Sequence, residues 1–548
     1  MVRRLLRVLD RDIRGLHEAA YLLAGFSLLS QVLALLRDRA FAHTFGAGPE
    51  LDIYFAAFRI PDTSFAFLTL FVSTFALIPL LAERTDPERR GVVRSVIMLF
   101  GVVAVPLTLL VYVFLPHLVP LIAPGFTADA LVTTRMLASV LLLQPLLLGV
   151  SSVVSAYAQT NRRFMLFALA PIFYNIGIIF GVFVLYPILG IVGLAWGVVL
   201  GALLHLLVQL IPMRGGAVHA SGLMIRDLLT RVVAPSLPRS LALLGNQFLF
   251  VIFAAVASTI AIGAVSSLTF AFNLQSVPLT VIGLSYASAL FPALAHLVSE
   301  GKWDVYAKEV WATVRHIAFW LLPATMLFIV LRAHIVRVVL GSGAFSWDDT
   351  RLTAAILAIF CISLVAQALI LVFSRAYYAA GKTWTPILVN VGSSVAAALL
   401  AYVLVSRVSV VSDGKYFIEA LFRVADVPGT TVLMIPAAYS FTLLCVALVF
   451  AVLFARTYGF ERGTVRSVGI SLSSSLIGAV CAYLALQAFG PLLPTNTFLG
   501  IFTQGLAAGC VGLLGWVFAL WLFKSEECRE TLVVVRRKLS VYGSNTHT

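Results

Sequence analysis

Charge is what this sequence has least of. Only 11% of its 548 residues are Asp, Glu, Lys or Arg, and 61% are hydrophobic. An ordinary soluble domain carries about 25% charged and about 45–50% apolar residues. A water-soluble globule of this length is therefore excluded. Cysteine is equally sparse: five residues, Cys361, Cys445, Cys481, Cys510 and Cys528, four of them inside apolar runs. None has CxxC or metal-ligand spacing, so neither a disulfide frame nor a zinc site is expected. HExxH, Walker A, GxSxG and DxxD-type metal motifs do not occur. The nine histidines, among them His43, His117, His205, His296, His316 and His334, are mostly isolated at span ends. A membrane glycosyltransferase needs acidic metal ligands near one surface, and the acidic residues here are few and dispersed. The sequence reads as a non-enzyme without metal or cofactor.

What is present is apolar sequence in long runs. A span needs roughly 20 apolar residues. That rule gives about fourteen: 20–43, 51–82, 92–115, 131–159, 165–186, 190–211, 233–261, 264–297, 311–331, 352–379, 384–406, 432–455, 464–489 and 498–523. The fold class is an all-α polytopic membrane protein. Residues 1–19 form a basic amphipathic segment, read either as a helix lying on an anionic membrane surface or as a flank that orients the first span. It has no apolar core ending in a cleavage site, so no cleaved signal peptide is expected.

The basic residues choose an orientation. With the N-terminus inside, the cytoplasmic segments hold 26 of the 38 Lys and Arg residues, and the outer loops hold six, all in 332–351 and 407–430. That bias places both termini in the cytoplasm. It also accounts for the net charge of +14 without a nucleic-acid partner.

The chain repeats itself. Gly46–Pro61 (GAGPELDIYFAAFRIP) and Gly263–Pro278 (GAVSSLTFAFNLQSVP) share one Gly-to-Pro spacing, ALIPLLAE at 76–83 resembles ALFPALAH at 289–296, and Pro171-x-x-x-Asn175-x-Gly177 recurs as Pro386-x-x-x-Asn390-x-Gly392. The offsets are 217, 213 and 215. Spans 1–6 and 7–12 are thus two copies of one unit. Six spans is an even number, so both copies enter from the same side, as in parallel-repeat transporters, whose sites lie between the halves near mid-membrane. The resulting divisions are a first lobe at 20–212, a cytoplasmic linker at 213–232, and a second lobe at 233–406 and 432–456. An outer loop at 407–431 interrupts that lobe, and spans 13 and 14 at 464–523 and a cytoplasmic tail at 524–548 follow it.

Ionisable groups at membrane depth usually face a protein interior or a watery cavity and mark a pathway. The stretch Ser30–Pro61 holds Arg37, Asp38, Arg39, Asp52 and Arg59 in nearly continuous apolar surroundings. Arg37 is either a cavity cation that holds an anion or a snorkelling side chain paired with Asp38. Asp52 is a cavity group or a cap at the start of span 2. Arg59 lies two turns into span 2, where it reads as a cavity-facing group more readily than as an interfacial one. Asn246 and Gln247 on span 7, and Asn273 and Gln275 on span 8, line the cavity or serve as inter-helix hydrogen-bond glue.

Taken together, these residues resemble a known family. Arg37-Asp38 through Phe45-Gly46-Ala47-Gly48, Asp52 and Ala57-Phe58-Arg59-Ile60-Pro61 resemble the opening signature of the MurJ/MviN lipid II flippases. Ala123-Pro124-Gly125-Phe126, Asn161-Arg162-Arg163-Phe164, Leu194-Ala195-Trp196, Gln209-Leu210 and Thr385-Pro386 fit as well, as do the two extra spans.

The resemblance implies a two-lobed alternating-access flippase of the multidrug/oligosaccharidyl-lipid/polysaccharide exporter superfamily. Cations between the lobes would hold a pyrophosphate and sugar head, and a groove by spans 13 and 14 would take the polyprenyl tail. Arg37 and Asp52 occupy functional family positions and Arg59 a basic one. The implied partners are a lipid II-like polyprenyl-pyrophosphate glycan, membrane lipids and cell-wall synthesis proteins, with the chain acting as a monomer in the bacterial cytoplasmic membrane. This chain departs from the family pattern at Gln31, Phe65, Ala66, Leu70 and Asn273, where the family typically carries charge. Export of another lipid-linked oligosaccharide or small amphiphile, and a non-transporting wall-synthesis scaffold, are the alternatives.

Overall fold

Hydrocarbon offers no partner to a backbone N–H or C=O, so long apolar segments close their hydrogen bonds within themselves as helices. In the computed structural model every regular element is helical among the described residues, which are 16–213, 226, 229–408, 412–492, 497–531 and 533. The N-terminal segment up to residue 15, most of the linker 213–232 and the tail beyond 533 lie outside them. Among the described residues twelve helices are long and apolar enough to cross a membrane. A pair bent by 41°, Trp347–Cys361 and Leu364–Ala379, supplies a thirteenth span. The 30-residue helix Leu16–Phe45 covers the first expected span.

The chain divides into two units. The first comprises Met1–Ser267, Ser342–Asp349 and Asn390–Ala398. Its helices are α1 (Leu16–Phe45), α2 (Pro49–Val72), α3 (Thr74–Ala82), α4 (Asp86–Ile122), α5 (Ala128–Leu141), α6 (Leu143–Thr160), α7 (Phe164–Phe180), α8 (Tyr186–Leu189), α9 (Val192–Gln209) and α10 (Ala234–Ser258). Proline at the first helical position, with Glu50 and Asp52 in the first turn, starts α2, because neither disturbs the orphan N–H groups of a helix N-terminus. A capping box, Thr85 with Glu88, starts α4.

The core of this unit gathers Leu68, Val72, Leu77, Val96, Phe100 and Tyr157 from α2, α3, α4 and α6. By contrast only 17% of the apolar window of α4 is buried, leaving residues such as Val102, Leu109 and Val113 for lipid. Where α7 and its π-helical continuation Gly181–Leu185 meet α9, the backbones nearly touch: a Cβ on Gly177 would lie 2.3 Å from Gly201 Cα. Small residues let membrane helices approach this closely, where packing replaces the hydrophobic effect.

The second unit comprises Leu268–Gly341, Thr350–Val389 and Leu399–Thr548. Further helices are α11 (Ala264–Pro278), α12 (Ser285–Ser299), α13 (Trp303–Val330), α14 (Arg332–Val339), α15 (Trp347–Cys361), α16 (Leu364–Ala379), α17 (Trp384–Val408), α18 (Ser412–Phe422), α19 (Met434–Tyr458), α20 (Gly463–Phe489) and α21 (Phe498–Leu522). An aromatic column of Tyr306, Trp311, Phe373, Phe454 and Tyr458 joins α13, α16 and α19. Its polar tips find carbonyls: Tyr306 Oη donates to Ala376 O at 2.8 Å, and Trp311 Nε1 to Gly459 O at 3.0 Å. Helix α20 lies along α21 through Gly478 and Gly512, and α13 packs on α20.

Candidate functional site

The first unit carries the charge. Near the end of α1, Arg37 donates from Nε (3.0 Å) and Nη2 (2.8 Å) to Asp38 Oδ1, and from Nη1 (3.2 Å) to Asn175 Oδ1 on α7. The Asp38 side chain is almost fully buried, and that of Arg37 is 22% exposed. A guanidinium has five N–H donors in a fixed fork. The three bonds to Asp38 and Asn175 leave two of them without a partner among the described residues. Arg37 is thus anchored on one edge with donors to spare.

Around it stand Tyr54 on α2 and Tyr174 on α7, the latter accepting from Gln144 Nε2 at 3.2 Å. On the next turns of α2 the Arg59 guanidinium lies 5.6 Å over the Phe250 ring of α10, a cation–π contact. Asp62, one turn further, is within electrostatic reach of Arg59, Tyr54 and Tyr174. Sequence reading missed Asp62, although a carboxylate three residues beyond Arg59 shares its helix face. It also passed over Tyr54, Gln144 and Tyr174, whose ordinary apolar neighbours gave no signal.

Asp52 has another task. Its buried carboxylate accepts from Gly263 N (2.6 Å), Ser266 N (2.8 Å) and Ser266 Oγ (2.8 Å). It caps α11, the helix that carries the second copy of its own repeat, rather than α2. The surrounding turns meet through backbone: a Cβ on Gly263, whose φ is +85°, would sit 2.3 Å from Ala47 O. Likewise Gly46 abuts Ala344 and Gly343 abuts His43, and Gly125 N donates to Ser258 Oγ at 3.2 Å.

On α10, Asn246 is exposed and Gln247 half-buried, each one turn from the Phe250 ring under Arg59. The second unit holds the other two amides. Asn273 is half-buried, whereas Gln275 is fully buried and accepts from Gln367 Nε2 (3.1 Å). That amide also donates to Ser363 Oγ at 3.0 Å. The five expected residues Arg37, Asp52, Arg59, Asn246 and Gln247 therefore share the first unit, and Asn273 and Gln275 belong to the second.

Gln31 lines a cavity of about 480 Å³ with Leu23, Ser27, Ser30, Phe167 and Pro171. Ala66 and Leu70 are buried, and Phe65 is half-buried. Among the described residues no cluster of His, Cys, Asp and Glu could hold a metal.

Among the described residues twelve helices apolar enough to cross a membrane, with a half-buried cation in the first unit, define a multi-pass membrane protein. Solved structures agree on the fold. A lipid II flippase MurJ in an inward closed conformation superposes with a TM-score of 0.72 at 21% identity, over 93% of this chain and 100% of that one. An inward-facing MATE multidrug transporter of the MOP superfamily gives a TM-score of 0.61 at 19% identity, over 78% of this chain and 96% of that one.

The profile of the family described as Lipid II flippase MurJ matches residues 41–412. The chain belongs to that family, whose members are transporters of the bacterial inner membrane. Among its relatives, a probable lipid II flippase of Rhizobium tropici is 29% identical over 66% of this chain and 70% of its own. A lipid II flippase of Burkholderia cenocepacia is 25% identical over 71% of this chain and 78% of its own.

Proposed function

We propose that the protein is a lipid II flippase, moving a polyprenyl-pyrophosphate-linked peptidoglycan precursor from the inner to the outer leaflet by alternating access. The observation that carries this reading is Arg37. A guanidinium held by Asp38 and Asn175, with two N–H groups left over, is preorganised for a phosphate oxygen. The physical problem is moving a charged sugar head through hydrocarbon, and a polar cavity removes the need to solvate the head in lipid. Arg59 and Asp62 extend the polar surface along α2, and Gln247 on α10 offers a neutral donor. The set Arg37, Asp52, Arg59, Asn246, Gln247, Asn273 and Gln275 divides accordingly. Arg37 and Arg59 bind the anion, Asp52 latches two helix ends, Asn246 and Gln247 adjust the fit, and of the second unit's amides, Asn273 and Gln275, the latter serves helix packing.

The basic-residue bias supports cytoplasmic termini, and with that orientation the Asp52 latch and its glycine turns close the outer end. The protein works as a single chain beside the wall-synthesis proteins that consume its product. The test is flipping of a fluorescent lipid II by purified protein in vesicles. Arg37→Ala is expected to slow it by about 10- to 100-fold, the equivalent of losing a charged hydrogen bond of about 1.5–3 kcal/mol. An unchanged rate would sink the role of Arg37.

A further inference from the structure

The outer loops hold few basic residues, and the structure shows how three of them are placed. Arg351 is spent on Asp426, which it meets with Nη1 and Nη2 at 2.8 Å each. Arg332 and Arg423 are different. The Arg332 guanidinium lies 5.5 Å over the Phe422 ring and donates one bond, to Ile329 O at 3.0 Å. The charged group it feels is a like charge, Arg423. Neither arginine meets a carboxylate among the described residues. The ring under Arg332 belongs to the residue next to Arg423, so the two cations are neighbours; with no carboxylate on either among the described residues they repel, and an anion beside both removes the repulsion.

Arg423 is also placed against local preference. It takes the left-handed position that ends α18, with φ +57°, while Arg423 N bonds Ala420 O (3.2 Å) and Val424 N bonds Glu419 O (2.9 Å). That position ordinarily goes to glycine, since a side chain there costs roughly 1–2 kcal/mol. Arg162 and Lys524 make the same substitution at helix ends, but both lie on the side assigned to the cytoplasm, where cations are expected.

The neighbourhood is a membrane surface. Helix α18 is 11 residues long, too short to span, and leaves Tyr416, Phe417 and Leu421 58–69% exposed. Such a helix lies in the interface at headgroup depth. On the other side, His334 of the short α14 bonds Gln504 of α21 (3.2 Å), seating Arg332 beside a span whose Leu499, Phe502 and Leu506 are exposed.

We propose that Arg332 and Arg423 form an anion site at the outer face that takes the phosphate-bearing headgroup of a membrane lipid, its tail lying along α21. The outer placement rests on the orientation argued above. The bound phosphate belongs either to the polyprenyl-pyrophosphate cargo on release or to an anionic phospholipid of that leaflet.

Native mass spectrometry of the full chain, released from phosphatidylcholine nanodiscs supplemented with undecaprenyl pyrophosphate or phosphatidylglycerol, decides the matter. With the inner site removed by Arg37→Ala, the chain is expected to retain one lipid that the further change R332Q/R423Q retains at least tenfold less, while R351Q keeps it. Matched thermal unfolding, with R332K/R423K restoring retention, separates lost binding from lost fold. Retention of undecaprenyl pyrophosphate identifies cargo, and retention of phosphatidylglycerol alone identifies a resident lipid; either outcome supports the site. Equal retention by the double variant, or binding of inorganic pyrophosphate and neither lipid, overturns it. Arg37→Ala alone should remove only the lipid held at the inner site and leave the one that depends on Arg332 and Arg423, so a failed flippase reading and a failed outer site give different patterns.

Discussion

Gly46–Pro61 and Gly263–Pro278 are copies of one segment that have taken opposite polar roles. The first supplies an acceptor, Asp52, and a cation, Arg59. The second supplies donors, Gly263 N and the two groups of Ser266, and beyond them an amide, Gln275, that serves helix packing. The same division recurs further along. Gly177 is pressed against the α9 backbone, while its counterpart Gly392 has open space where a Cβ would go. A repeat preserves the path of the backbone, and each copy is then free to specialise its side chains.

The comparison can be broken most severely at Asp52. Asp52→Ala orphans two buried N–H groups, each worth about 1–3 kcal/mol, so stability is expected to fall by about 2–6 kcal/mol. Asp52→Asn, which keeps one acceptor oxygen, should lose less. At Thr269, the residue 217 positions on, Thr269→Ala removes one neutral hydroxyl and should cost about 1 kcal/mol. Thermal unfolding in detergent measures all three, and equal losses at 52 and 269 would dissolve the asymmetry.

A second contrast pits Gly263→Ala against Gly392→Ala. The first meets Ala47 O and a left-handed backbone, and is expected to cost about 2–4 kcal/mol from conformation and overpacking together. The second gains helix propensity and should be neutral or stabilising by up to about 1 kcal/mol. The same unfolding assay reads both.

The smallest effect is expected at Gln275→Leu. Gln367 keeps its bond to Ser363, so the loss should be about 1 kcal/mol, with flipping retained. A transport defect as large as that of Arg37→Ala would move Gln275 from packing to cargo.

Much of this was legible in the sequence. Apolar length located the spans, down to Phe498–Leu522 against an expected 498–523. The repeat and the charged stretch in span 1 and span 2 were readable because each is local. What escaped was pairing at a distance. Asp52 finds Ser266 across 214 residues, and no spacing rule connects a carboxylate to the start of a helix so far away. Asn175 stood out as a repeat landmark, yet its bond to Arg37 depends on how α7 packs on α1. Asp62 fell one residue beyond the stretch that drew attention. Glutamine at 275 reads the same whether it faces cargo or another helix.

The turns around Gly46, Gly263 and Gly343 approach through main chain and are tied by the Asp52 carboxylate. Their main-chain approaches have no rotamers with which to adjust. A larger residue at these glycines would jam them, whereas the cavity wall at Gln31 is built of side chains that can adjust. These turns are therefore far less tolerant of substitution than a wall built of side chains, and the chain can vary the one while the other stays fixed.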